Sequence, residues 1–235
     1  MKLCLLQCDH VLEELQPLHG DVPDLFCNLF DRVAPEVSLD VFNVTKGEYP
    51  NLSNHYDGFI SSGARYSVYE SDPWIIRFKE FIRDLYYHNK KFVGICFGHQ
   101  MIAQALGGKC TKTDRGWGVG IKEVSIKIPK PWMQPKLDSY RLIVSHADQV
   151  VSLPKDSEII GGNTHCPCSI YTVGENFLGI QAHPEFTSAL EKDIMRVRLD
   201  RIGKQVVDAA IPTLNIPTDE AVVTRWMVNF ILHQN

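Results

Sequence analysis

The sequence predicts an α/β protein with a mostly parallel central sheet, helices on both faces and an antiparallel extension. Three observations predict it. Short apolar runs alternate with longer helical patterns through the first two thirds of the chain, as parallel strands joined by crossover helices do. The runs are apolar almost throughout, as strands covered on both faces require. From Val119 to Gly179 the pattern changes to short strands separated by turn residues, which reads as the antiparallel extension.

The parallel strands are expected at Lys2 to Gln7, Val37 to Val44, Gly58 to Ser61 and Phe92 to Ile95. Cys4 and Cys8 lie an even number of residues apart and share one face of the first strand as small hydrophobes. A helix over Asp24 to Val33 aligns Leu25, Phe26, Leu29, Phe30 and Val33 on one stripe. Ser71-Asp72-Pro73 supplies a cap and a first-turn proline, opening a helix that groups Ile75, Phe78, Ile82 and Leu85. Gly107-Gly108 stops the helix that follows Cys96. In the extension, strands are expected at Lys122 to Ile128, Arg141 to Ser145, Glu158 to Gly161 and Ser169 to Val173. Two C-terminal helices follow. One opens with a capping box, Ser188-Ala189-Leu190-Glu191, and the other runs from Thr218 to His233 with Val222, Val223, Trp226, Met227, Phe230 and Ile231 as its apolar stripe. That stripe is expected to pack on the parent domain rather than on a second copy.

The chain has 235 residues, 44% hydrophobic and 22% charged, with 24 Lys+Arg against 28 Asp+Glu for a net charge of −4. Disorder, collagen and coiled coil are excluded by this composition. Domains run to about 100–200 residues, so one domain is expected over 1–235, with C-terminal helices 188–235 packed on it. Lys and Arg are scattered rather than clustered, so no nucleic-acid partner is expected. No apolar run approaches the ~18 residues of a membrane span, and the N-terminal apolar stretch, interrupted at Gln7, is too short for a signal peptide. Seven cysteines, an odd number spread along the chain, point to a reducing cytoplasm.

The chemistry-bearing segment is Phe92-Val93-Gly94-Ile95-Cys96-Phe97-Gly98-His99-Gln100, an apolar strand, Gly-x-Cys-x-Gly, and then a helical run. This is a nucleophile elbow with cysteine in the nucleophile position. The turn is so tight that positions two before and two after the nucleophile must be small, which Gly94 and Gly98 satisfy. Cys96 at a helix N-terminus has its thiolate stabilised by backbone N–H groups and the helix dipole, and the N–H of Phe97 points where an oxyanion forms. The second constellation is Phe177 to Glu185, a late strand that ends in His183-Pro184-Glu185. A thiol nucleophile needs an imidazole in reach, and the imidazole needs an acceptor to fix its tautomer. His183 and Glu185 supply both.

With these residues in place, the sequence resembles the class I (triad) glutamine amidotransferases, and within them both stand-alone proteins like the amidotransferase domain of GMP synthase and the plant γ-glutamyl peptidases. Gly94, Cys96, Gly98 and Gln100 match Gly-x-Cys-x-Gly-x-Gln, and His183-Pro184-Glu185 matches the late motif. Ser61-Ser62-Gly63 matches the oxyanion loop. Ala64-Arg65-Tyr66 departs from the usual Pro or Gly there, which puts substrate scope in doubt. Ser145-His146-Ala147-Asp148-Gln149-Val150 is similar to the family's His-x-Asp-x-Val segment, and the likeness covers roughly Asp57 to Phe186.

The resemblance implies a flavodoxin-like sheet and hydrolysis of glutamine or a γ-glutamyl small molecule. Cys96, His183 and Glu185 would be catalytic. Gly63 and Phe97 N–H groups would hold the oxyanion, each donor worth about 3 kcal/mol. Gln100, His146, Ala147, Arg65 and Tyr66 would border substrate. No metal or organic cofactor is required. Two uses follow from it: ammonia delivery to a separate synthetase subunit, or a free-standing γ-glutamyl peptidase. An inactive binding module is disfavoured because all three triad residues are present.

Other motifs read as structural. His165-Cys166-Pro167-Cys168 has no second Cys/His pair at ligand spacing, so zinc is not expected. Gly116-Trp117-Gly118-Val119-Gly120 lacks a following Lys-Ser/Thr, so it reads as a turn bordering the glutamine pocket rather than a phosphate loop. His99 reads as a packed histidine rather than the base.

Overall fold

A computed structural model describes residues 1–233. In chain order its elements are β1 (Lys2–Gln7), α1 (Gln16–His19), α2 (Val22–Val33), β2 (Ser38–Asn43), β3 (Gly58–Ser61), α3 (Pro73–Tyr87), β4 (Phe92–Ile95), α4 (Phe97–Ala105), β5 (Lys109–Lys112), β6 (Gly118–Ile126), β7 (Ser139–His146), β8 (Asp148–Ser152), β9 (Ser157–Gly162), β10 (Ile170–Val173) and β11 (Phe177–Ile180). Four helices follow: α5 (Ser188–Val197), α6 (Leu199–Ile202), α7 (Lys204–Ala210) and α8 (Glu220–Leu232).

Nine strands form one sheet in the order β2-β1-β3-β4-β11-β10-β9-β6-β7, and β5 pairs with β8 apart from it. From β2 to β11 every pair is parallel, and from β11 to β7 every pair is antiparallel. The mostly parallel sheet with its antiparallel extension is therefore the expected one. Alternation along the strands sends successive side chains to opposite faces. Leu3, Leu5, Ile60, Val93, Ile95, Leu178 and Ile180 join the core under α2, α5 and α8. Cys4, Leu6, Phe59, Phe92 and Phe177 join the core under α3 and α4, and Cys8 lies there with Cys4. Each such buried side chain contributes about 1.5–3 kcal/mol. Trp226, on the apolar stripe of α8, is fully buried in the first of these cores and donates its indole N–H to the Pro135 carbonyl at 2.8 Å.

Several boundaries differ from expectation. α2 begins at Val22 because Asp21 and Asp24 form a capping box; the Asp24 carboxylate accepts the Asp21 N–H at 2.8 Å. α5 is capped by Thr187, whose hydroxyl accepts the Leu190 N–H at 3.1 Å, rather than by Ser188. This one-residue shift turns Glu191 from a capping residue into a fully buried one. The tract expected as a glycine turn lies partly in β6, where Gly120 has φ +77° and a Cβ would meet the Thr213 hydroxyl at 2.5 Å. β7 starts at Ser139, β9 at Ser157 and β10 at Ile170, while β2 is one residue shorter at each end than expected. α1, β5, β8, α6 and α7 were not expected. They are short, and tertiary contacts rather than periodicity hold them. α8 ends at Leu232, and positions 234–235 of the C-terminal tract lie outside the described residues.

Candidate active site

The site lies where the carboxyl ends of β3, β4 and β11 meet, as sites in open α/β sheets do. The register pairs Ile95 with Ile180 and Gly94 with Ser61, so the residues that follow these strands emerge side by side. Between β4 and α4, Cys96 adopts φ 48°, ψ −94°, a conformation that side chains rarely occupy and that costs about 1–3 kcal/mol. The two flanking glycines make it possible. A Cβ on Gly94 would sit 2.4 Å from the Gly98 carbonyl carbon, and one on Gly98 would sit 1.9 Å from the Ser61 hydroxyl oxygen. The Cys96 N–H donates to the Ile180 carbonyl at 2.8 Å, tying the elbow to β11.

His183 follows β11. Its backbone N–H donates to the Ile143 carbonyl at 2.8 Å, and its ring stacks on Phe186 with centroids 4.0 Å apart. Nδ1 lies 2.8 Å from a carboxylate oxygen of the buried Glu185, and the Cys96 side chain is its other charged neighbour. Burial by itself favours the neutral ring. The Glu185 and Cys96 side chains outweigh it and hold the His183 pKa well above its ordinary value. Gly63 closes over this pair: a Cβ there would meet His183 Cε1 at 2.7 Å and the Cys96 Cβ at 3.3 Å.

The loop after β3 is fixed from β1. Ser62 donates its N–H to the Leu6 carbonyl at 3.1 Å, and its hydroxyl accepts the Cys8 N–H at 2.9 Å. The Gly63 and Phe97 N–H groups have no partner among the described residues. Arg65 is committed elsewhere. Its Nε lies 2.9 Å from Asp9, its Nη2 donates to the His10 carbonyl at 2.9 Å, and its own N–H binds Asp9 at 2.8 Å. Tyr66 packs edge-on against Trp74, which in turn lies against Phe97.

Two cavities meet at Cys96. The polar one includes Tyr66, Gln100, His146, Ala147 and Asp148 in its lining. Gln100 is buried and donates to the Asp148 carbonyl and to Gln181, both at 3.2 Å. His146 Nδ1 lies 3.0 Å from the Asp148 carbonyl, and burial pulls its pKa down to about 4. The Asp148 carboxylate takes the Ser67 hydroxyl at 2.6 Å and the Tyr69 hydroxyl at 3.1 Å, joining the loop after β3 to β8. The second cavity carries Gly63 and His183 together with the apolar Val11, Leu12, Val22, Phe186 and Ile194. Ala64, Arg65, Cys96, Ser145 and Arg198 border both.

His99 is fully buried against Tyr171, ring centroids 4.8 Å apart, and burial lowers its pKa to about 3, so it stays neutral. Cys166 and Cys168 are free buried thiols, and no cluster of three His, Cys, Asp or Glu among the described residues could hold a metal. Sequence reasoning missed Asp9, Arg198 and Glu191. Asp9 had a signal, an acid two residues past the first strand. Glu191 was hidden by the capping-box reading, and nothing local marks Arg198.

Residues 29–200 match the glutamine amidotransferase class-I family model. The chain belongs to that family. It is a cysteine hydrolase of the class I amidotransferase type. γ-Glutamyl peptidase 4 of Arabidopsis thaliana is 32% identical over 170 residues, which cover 69% of this chain and 66% of the peptidase, just under two thirds of its length. The glutamine-hydrolysing GMP synthase of Porphyromonas gingivalis is 32% identical over 130 residues, covering 54% of this chain and 24% of that one. A glutamine amidotransferase of Thermotoga maritima, 21% identical, shares the fold with a TM-score of 0.73 over 98% of this chain and 96% of its own. No helix among the described residues is long and apolar enough to cross a membrane.

Proposed function

We propose that the protein hydrolyses the side-chain amide of γ-glutamyl compounds, glutamine included, through a γ-glutamyl thioester on Cys96. The observation that carries the proposal is the convergence of His183, whose Nδ1 lies 2.8 Å from the buried Glu185 carboxylate, and Cys96 beneath Gly63, where one added Cβ would touch both side chains. His183 takes the thiol proton as Cys96 attacks the γ-carbonyl, and Glu185 steadies the imidazolium. The Gly63 and Phe97 N–H groups hold the oxyanion. His183 then returns the proton to the departing nitrogen and activates the water that releases glutamate. Gln100, His146, Ala147 and Tyr66 line the polar cavity and receive the glutamyl group; the partner is this small molecule, in a reducing, cytoplasmic setting.

The second cavity favours a free-standing peptidase over an ammonia-delivering subunit. Its walls include the apolar Val11, Leu12 and Phe186, and it flanks His183, the group that must protonate the leaving nitrogen. Ammonia needs no such apolar wall. Glutamate release from glutamine and from γ-glutamyl dipeptides by the purified chain, with a Cys96-linked acyl intermediate trapped by acid quench and mass spectrometry, tests the reading. Turnover without a Cys96 adduct refutes the mechanism. Activity that appears only when a synthetase is added selects ammonia delivery.

A further inference from the structure

Arg198, just after α5, borders both cavities beside Cys96. It is half-buried, yet its guanidinium makes no hydrogen bond and no ion pair among the described residues. Nearby acids are not available to it. Asp9 is taken by Arg65 through its side chain and backbone. Glu191 is fully enclosed and forms no ion pair or hydrogen bond with it, and burial favours its neutral form. Arg201, a second cation on the polar cavity, lies over the Trp117 ring and has no ion pair among the described residues, so the mouth carries positive charge in excess. A partly desolvated cation without a counterion is costly to keep, and that cost is recovered when an anion binds.

The position decides which anion. The glutamyl group occupies the cavity of Gln100 and His146, and the leaving nitrogen must face His183 in the other. Arg198 stands where the two cavities join, so it is placed to meet a group attached just beyond the scissile bond. In an α-linked amino acid leaving group that is the carboxylate, and the apolar walls of Val11, Leu12 and Phe186 are left for its side chain. Arg65 also borders both cavities, but its Nε is held by Asp9 and its Nη2 donates to the His10 carbonyl.

We propose that Arg198 is the specificity residue that recognises the carboxylate of the leaving group, so that γ-glutamyl peptides with an apolar leaving residue bind in preference to glutamine. This rests on the γ-glutamyl hydrolase reading and deepens it. A guanidinium suits the task because its planar fork engages a carboxylate through two N–H groups.

The test is binding of γ-glutamylvaline and of its C-terminal carboxamide to the full chain carrying Cys96→Ala, measured by calorimetry with and without Arg198→Met. The free acid is expected to bind more than tenfold tighter than the carboxamide, and Arg198→Met to remove that preference while the carboxamide binds as before, which also shows the variant folded. Arg198→Lys is expected to keep part of the preference. A preference that survives Arg198→Met overturns the proposal, as does the absence of any preference or of binding by either compound. Glutamate release from the same compounds by the chain with Cys96 intact reports on the hydrolase reading separately: failure there with the binding preference intact refutes the chemistry and leaves the carboxylate site standing.

Discussion

The wall of the site built from β3, β4 and β11 and the wall built from β7 and α5 treat their ionisable groups in opposite ways. On the first, His183 is bound to Glu185, Arg65 to Asp9, and Gln100 to Gln181 and the Asp148 carbonyl. On the second, the Ser145 hydroxyl and both Glu191 carboxyl oxygens are buried without a hydrogen-bond partner, and Arg198 has no counterion. Buried polar groups are nearly always satisfied, so the exceptions need a reason. Paired ionisable groups are held in place, which keeps reacting groups where the chemistry needs them. An unsatisfied wall gives up stability and keeps capacity for a ligand.

The comparison predicts that changes on the first wall cost chemistry, whereas changes on the second alter selectivity or the pH dependence of stability. Cys96→Ala should abolish glutamate release and leave the melting temperature unchanged or raised, since alanine needs no thiol and the strained backbone remains; residual turnover would break the assignment. Glu185→Gln should lower kcat by roughly 10³–10⁴-fold, as loss of the group that orients a catalytic histidine does. A loss under tenfold would place Glu185 among merely structural residues. Gly98→Ala should destabilise the chain by at least about 3 kcal/mol in urea melts, because its Cβ would lie 1.9 Å from the Ser61 hydroxyl oxygen and the tight turn leaves little room to move.

Glu191→Gln probes the other wall. Burial raises the carboxyl pKa to about 8, with the charges of His183 and Arg198 pulling the other way. The folded chain therefore keeps a proton that the unfolded chain has lost, and this part of the stability falls as pH rises from the ordinary carboxylate range towards 8. Glutamine does not titrate. Relative to wild type, the variant should gain nothing near pH 4 and on the order of 2–4 kcal/mol near pH 8. A pH-independent difference would show that Glu191 is ionised throughout. Asp9→Asn should be mildest, lowering kcat about tenfold, or ~1.4 kcal/mol, by loosening Arg65 and the Gly63 loop while KM for glutamine stays constant.

Much of the fold was legible. Strands β1, β3 and β4 fall within the expected bounds because buried parallel strands are apolar throughout and stand out from helical periodicity. The elbow was legible because its steric demand for Gly94 and Gly98 leaves a trace within five residues. The α6–α7 segment and the β5–β8 pair left no such trace, since each is too short for a period to emerge. At α5 a single hydroxyl decided the outcome: Thr187 and Ser188 both offer a cap, and only the chain's path selects Thr187, which sends Glu191 inward.

By itself the sequence determined the class of fold, the family, and the identity of Cys96, His183 and Glu185 as candidates, because strand composition and tight-turn sterics act over a few residues. Tertiary structure decided what those residues face. The pairing of β4 with β11 brings His183 to Cys96 across 87 positions of chain, β1 brings Asp9 to Arg65, and the path of α5 brings Arg198 to the junction of the two cavities. Charge balance at a site is a sum over groups distant in sequence, so which cation lacks a counterion emerges only after folding.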